Sequence, residues 1–179
     1  MAFAVWFTGL PGSGKTALAS RTATILKQNG INVKILQLDE IRRVLTPNPK
    51  YTDEELDIVY ASLAYMAKLL TESGVNVFID ASANKRKYRE AARSIIPKFI
   101  EVYIRCPLEV CMAREAGRKA AFSPKDIYKK SANVGANVPG VNVPYEEPRD
   151  PAIIIDSNKM NADEGAKKVS QVIISIFGE

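Results

Sequence analysis

The chain has 179 residues, 46% hydrophobic and 25% charged, with a net charge of +5 and no histidine. This suits one globular domain with a buried core, and no apolar run reaches the roughly 20 residues of a membrane span. The missing imidazole excludes Ser-His-Asp and Cys-His nucleophile chemistry and any imidazole-bound metal, so a general base must be a carboxylate or a lysine.

Residues 2–7 are apolar and predict a first strand entered directly from the N-terminus. No basic, apolar and cleavage regions run in series there, so the expectation is a cytoplasmic protein. The strand leads into Gly9-Leu10-Pro11-Gly12-Ser13-Gly14-Lys15-Thr16, a complete G-x-x-x-x-G-K-[ST] phosphate-binding loop. A helical pattern over 16–28 follows, closed by Asn29-Gly30. Strand, loop and helix are the context that the motif requires, because loop amides and the helix N-terminus must converge on the phosphates. All eight residues from Gly9 to Thr16 are therefore nucleotide-binding candidates. Lys15 is placed to reach the β- and γ-phosphates, and the Thr16 hydroxyl to take one position on Mg²⁺.

Strands at 33–38, 75–79, 99–105 and 152–155 alternate with helices from a capping box at Thr52–Glu55 to about 73, over 85–94, from Pro107, and after a second box at Asn161–Glu164. Apolar strands alternating with helices predict a five-stranded, mostly parallel sheet covered on both faces. We expect one three-layer α/β domain of the P-loop kinase type over 1–179. The exception is 121–151, which carries Pro124, Pro139, Pro144, Pro148 and Pro151. A loop of that length in a compact domain is usually functional, such as a lid, or disordered. Cys106 and Cys111, the two cysteines, should be buried thiols, neither disulfide-bonded nor metal-binding.

A kinase needs a proton acceptor beside its metal, and ligands of open α/β sheets collect at the carboxyl ends of strands. Asp39 and Asp80 both end predicted strands. Either could serve as base or as a Mg²⁺ partner, through water or directly. Arg42, three residues after Asp39, could orient an anionic acceptor or be a solvated surface residue. Arg89 and Arg93, one helical turn apart, form a similar pair that could equally be an exposed face. Asn158-Lys159-Met160-Asn161 lacks the carboxylate of the guanine-reading Asn-Lys-x-Asp, so ATP is the expected nucleotide. Basic residues concentrate at 85–93 and 114–130, which suits a positive field around a site for small polyanions. No nucleic-acid or membrane partner is expected, and a homodimer stays open.

Three segments together resemble the adenylylsulfate kinases of sulfate activation. They are 9–16, the run from Cys106 to Cys111 followed by Arg114, and Tyr128-Lys129-Lys130 with Val143-Pro144-Tyr145-Glu146-Glu147-Pro148. That family carries Pro-Leu-Glu-Val-Cys, then Tyr-Lys-Lys, then Asp-Pro-Tyr-Glu-Ala-Pro before the last strand. The resemblance implies Mg²⁺-dependent transfer of the ATP γ-phosphate to the 3′-hydroxyl of adenylyl sulfate. It implies that Lys15, Asp39 and Arg42 are catalytic and that Arg114 lies beside the ATP adenine. Tyr51, Arg89 and Lys130 would join Asp39 and Arg42 in binding the acceptor, with residues about 128–148 as the lid. The sequence departs from the family's pattern on the acceptor side, at Gln37, Leu38, Leu56, Val59, Ala83 and Asn84, with Ser82 adjacent and Val138 replacing a lid phenylalanine. About ten residues around 117–125 look inserted. A kinase of another small anionic metabolite or of a nucleic-acid end, and an ATP-binding module without turnover, are the alternatives.

Overall fold

Five apolar runs pair through their backbones into one parallel sheet, in the order β2-β3-β1-β4-β5. They are β1 (Ala4–Thr8), β2 (Val33–Gln37), β3 (Asn76–Asp80), β4 (Phe99–Arg105) and β5 (Ile153–Asp156). The helices are α1 (Lys15–Gln28), α2 (Leu38–Leu45), α3 (Asp53–Glu72), α4 (Arg86–Ile95), α5 (Leu108–Ala116) and α6 (Ala162–Phe177). The computed structural model describes residues 1–117, 122, 126–132 and 136–178. Most of the expected insertion at 117–125, and residues 121, 123–125 and 133–135 of the expected lid, lie outside the described residues.

The period-2 alternation of a strand explains the layers. Ala4 and Trp6 of β1 point into a core built with Val59, Leu63 and Ala67 of α3 and Tyr88 and Ala92 of α4. Phe3, Val5 and Phe7 point the other way, against Leu18 and Leu26 of α1 and Val169 and Ile173 of α6. All five residues of β1 are buried. Full burial of a large apolar side chain contributes about 1.5–3 kcal/mol, so β1 anchors both layers. Both predicted caps form. Thr52 Oγ1 accepts from the Glu55 N–H at 3.2 Å. Asn161 Oδ1 accepts from the Glu164 N–H at 2.9 Å while the Glu164 carboxylate accepts from the Asn161 N–H at 3.2 Å.

Three expectations change. The strand expected over 33–38 ends at Gln37, and Leu38 starts α2. Asp39 therefore lies in the first turn of a helix, where Asp39 and Glu40 face the positive end of its dipole, and does not end a strand. The segment after α5 is not featureless. It holds a 3₁₀ turn at Lys129–Ala132 and buries Tyr128 and Val138 in a small cluster with Cys106 and Cys111. Both thiols are free and buried, as expected.

The third correction concerns Arg89. It is not an exposed face: it is fully buried on the inner side of α4 with Tyr88 and Ala92. Its Nε lies 3.0 Å from Glu101 Oε2, and Arg93 Nη2 lies 2.7 Å from Glu101 Oε1. A guanidinium taken out of water persists only with its donors satisfied, which β4 supplies by turning Glu101 inward. Among the described residues no helix is long and apolar enough to cross a membrane.

Removing Glu101 would leave the Arg89 charge buried and uncompensated. Glu101→Ala is expected to destabilise the fold by about 3–5 kcal/mol, measured by urea unfolding. A loss no larger than that of a surface substitution would show that the pair does not hold α4 to β4.

Candidate functional site

The order β2-β3-β1 brings three chain exits together. Gln37 pairs with Asp80, and Asp80 with Phe7, so the phosphate loop, the end of β3 and the start of α2 leave the sheet side by side. A cleft of about 1140 Å³ opens there. Lys15, Thr16, Asp39, Arg42, Asp80 and Arg114 line it, together with Tyr51 and Lys130. A second cleft of about 850 Å³, beyond Leu10, holds none of Lys15, Thr16, Asp39 or Asp80.

The loop from Gly9 to Thr16 wraps tightly because glycine permits it. Gly12 has φ 79°, and a Cβ there would sit 2.5 Å from the Cys111 carbonyl oxygen of α5. The first-turn amides of α1 lack intrahelical partners and leave a positive helix end facing the cleft. Lys15 is buried, and its Nζ donates to the carbonyls of Gly9 at 3.2 Å and Leu10 at 3.0 Å. A phosphate oxygen is a stronger acceptor for that ammonium than either carbonyl.

The Thr16 hydroxyl donates to Asp80 Oδ2 at 2.7 Å. A hydroxyl and a buried strand-end carboxylate in contact suit Mg²⁺, which takes hard oxygen ligands and keeps several waters. Among the described residues no three His, Cys, Asp or Glu side chains gather into a metal cage. Asp39 lines the same cleft from α2, one strand away.

Arg42 is not a solvated surface residue. It is buried, with Nη1 3.1 Å from Glu55 Oε1 and its guanidinium 4.7 Å from the centre of the Tyr51 ring. Burial alone would raise the Glu55 carboxyl, but the Lys50 N–H and Arg42 outweigh it and hold Glu55 below its ordinary range. Tyr51 has φ 56°, a left-handed conformation uncommon for a tyrosine. Its carbonyl accepts from Asn137 Nδ2 at 2.7 Å, across the cleft mouth. Burial, aided by Asp39 and Glu55 and opposed by Arg42, raises the Tyr51 hydroxyl above its ordinary value.

On the far wall, Arg114 donates to the Ser157 carbonyl at 2.7 Å and the Ser157 hydroxyl at 3.1 Å. Ser157 Oγ in turn donates to the Ser13 carbonyl at 2.7 Å, tying the phosphate loop to the turn after β5. Lys130 reaches the cleft from the 3₁₀ turn, and the Tyr128 hydroxyl donates to the Pro11 carbonyl at 2.7 Å. The cleft thus unites the sequence-derived candidates except Arg89 and, within the phosphate loop, Gly9, Leu10 and Ser13, which do not line it. The sequence reading missed Tyr60, Lys85 and Asn137, which also line it. Each comes from an element whose position depends on tertiary packing, and no motif marks them.

Comparison with known proteins agrees with this geometry. The profile of a family described as adenylylsulphate kinase matches residues 1–156. A probable adenylyl-sulfate kinase of Pyrococcus abyssi is 38% identical over 168 residues, covering 93% of this chain and 92% of that protein. An adenylyl-sulfate kinase of Halothermothrix orenii is 36% identical over 170 residues, covering 94% and 88%. The solved APS kinase of Mycobacterium tuberculosis in complex with AMPPNP and APS superposes with a TM-score of 0.82 at 28% identity, over 96% of this chain and 97% of that one.

Asp39→Asn keeps the shape of the side chain and removes a base. It is expected to lower kcat about a hundredfold or more, with the ATP KM little changed. Asp80→Asn should instead raise the Mg²⁺ concentration that gives half-maximal rate. Steady-state kinetics across a Mg²⁺ titration separate them, and exchanged phenotypes would reverse the assignment.

Tyr51→Ala should weaken acceptor binding by about 1–3 kcal/mol, the range for a base stacked on an aromatic ring, and leave ATP affinity alone. Equal weakening of both substrates in binding titrations, or of neither, would remove Tyr51 from the acceptor site.

Proposed function

We infer the reaction from one premise: the chain belongs to the adenylylsulfate kinase family. It is an adenylylsulfate kinase, an ATP-dependent phosphotransferase with an alcohol group as acceptor. The γ-phosphate passes to the 3′-hydroxyl of adenylyl sulfate, giving 3′-phosphoadenylyl sulfate and ADP. The observation that carries this reading is the juxtaposition of a complete phosphate loop with two carboxylates, Asp39 and Asp80, in one cleft.

Residue roles follow as proposals. Amides from Gly9 to Thr16 cradle the phosphates, and Lys15 leaves its carbonyl partners to stabilise charge on the transferring group. Thr16 and Asp80, in contact at the loop, are the residues that would hold Mg²⁺, which would supply charge neutralisation for the transferring phosphoryl group. Asp39 takes the proton of the attacking hydroxyl. Arg42, kept in place by Glu55, and Lys130 hold the anionic acceptor, and Tyr51 stacks on its adenine. Arg114 borders the ATP adenine. The described parts of the segment after α5, 126–132 and 136–148, would close on both nucleotides as a strap, so that transfer outcompetes hydrolysis. The sheet and its helices act as one kinase domain over 1–179, in the cytoplasm. The free buried thiols of Cys106 and Cys111 fit a reducing compartment. A homodimer is part of the proposal, served by exposed Ile58, Tyr65 and Leu69 along one face of α3.

A second acceptor reading, another small anionic alcohol, is favoured by one observation. Gln37, Leu38 and Leu56 line the cleft where the family pattern carries charged residues or glycine. A coupled assay decides between the two. ADP release should rise at least tenfold on addition of adenylyl sulfate and fall when Mg²⁺ is chelated. No stimulation by adenylyl sulfate, with stimulation by another member of an acceptor panel, would transfer the reading to that acceptor.

A further inference from the structure

The chain between β3 and α4 holds an alanine in a costly conformation. Ala83 has φ 47°, in the left-handed region that a non-glycine residue enters at a penalty of roughly 1–2 kcal/mol. It has no side-chain polar group to compensate, and it is fully buried. Such a conformation persists only where the surroundings over-determine it. Here both its backbone groups are clamped. The Ala83 N–H donates to the Tyr60 hydroxyl at 3.1 Å, and its carbonyl accepts from Arg89 Nη1. Ser82, Asn84 and Lys85 on either side line the cleft, and Arg89 does not.

Arg89 uses its remaining donors to fasten a second segment to the same loop. Nη2 donates to the Glu146 carbonyl at 2.6 Å, while Nε is fixed by Glu101 at 3.0 Å. The Glu146 N–H donates to the Asn84 carbonyl at 2.7 Å, and the Arg86 N–H donates to Glu146 Oε2 at 2.7 Å. The Tyr145 ring lies 5.8 Å from the Arg89 guanidinium. Its hydroxyl is 2.7 Å from Thr8 Oγ1, which donates to the Ser82 carbonyl at 2.6 Å. One buried cation thus ties β4, the loop over 82–86 and the segment over 144–147 into a single unit.

We infer that Arg89 is a positioning residue for the acceptor. Clamping Ala83 in its left-handed conformation, it aims Ser82, Asn84 and Lys85 into the cleft and locks the exit of the strap against them, without touching substrate itself. The inference rests on the kinase reading above. It replaces the direct acceptor contact that the sequence resemblance implies for Arg89. Tyr60 is the second jaw of the clamp. Burial, partly offset by the bond to the Ala83 N–H, pushes its hydroxyl up to about 12, so it stays neutral at working pH.

The test measures KM for adenylyl sulfate and for ATP, together with Tm, in Arg89→Lys, Tyr60→Phe and each of these combined with Ala83→Gly. Arg89→Lys is expected to raise the acceptor KM at least tenfold and leave the ATP KM within twofold. Tyr60→Phe should do the same more weakly, about threefold. Glycine adopts the left-handed conformation without the steric penalty, so Ala83→Gly should return a substantial part of the lost acceptor affinity in both backgrounds. A residue that only supports the fold would lower Tm and show neither the split nor the rescue. That result, or acceptor and ATP KM rising together, overturns the inference. If Arg89→Lys does not fold, Tyr60→Phe with and without Ala83→Gly decides by the same criteria. Wild-type enzyme that ignores adenylyl sulfate would count against the proposed reaction instead, and the same split, read with the panel acceptor it does use, still decides the role of Arg89.

Discussion

Every residue of β1 is buried between β3 and β4, with α1 and α6 on one face and α3 and α4 on the other. The chain leaving that strand must turn at once to reach α1, and the turn is the phosphate loop. Its tightness follows from the packing. Gly9 has its would-be Cβ 2.5 Å from the Ile104 carbonyl of β4, and Gly12 meets the backbone of α5 at the same distance. The loop is rigid because two packed elements fill the space that a side chain would need. A phosphate therefore meets amides already aimed at it, which reduces the reorganisation that transfer requires.

Parallel pairing supplies the rest of the site. Strands that run the same way end on the same side, so β2, β3 and β1 deliver Asp39, Asp80 and Lys15 to one edge of the sheet. Around that edge, buried and partly buried ion pairs hold side chains that would otherwise be long and free. Glu55 fixes Arg42 against Tyr51, and Glu101 fixes Arg89 and Arg93. Such pairs add little net stability once desolvation is counted, but breaking one leaves a buried charge uncompensated. They act here as geometric constraints, and the left-handed backbone at Tyr51 and Ala83 shows where the constraint is strongest.

The segment after α5 connects these parts. Tyr128 fastens it to the phosphate loop at Pro11, Asn137 to the Tyr51 carbonyl, and Tyr145 to Thr8 at the end of β1. The last anchor is the densest, because Glu146 beside Tyr145 also bonds to Asn84, Arg86 and Arg89.

Much of this was legible in the sequence, because the signals are local. Alternating strands and helices, two caps and the phosphate loop each specify their own geometry within a few residues, and all formed. So did the buried, unpaired state of Cys106 and Cys111. What the sequence left open depended on contacts between distant residues. Nothing near Asp39 tells a strand end from a first helical turn, because Leu38 enters α2 only when it packs into the core beneath α3. Nothing near Arg89 predicts burial, because its partner Glu101 lies on β4 and reads as an ordinary charged residue there. The left-handed Ala83 had no glycine or asparagine to announce it, since its conformation is imposed by Tyr60 and Arg89 from other helices. Sequence alone determined the fold class and the chemistry of the phosphate end. The tertiary structure decided which cations face the cleft and which are buried to shape it, because desolvation and pairing depend on neighbours that only folding brings together.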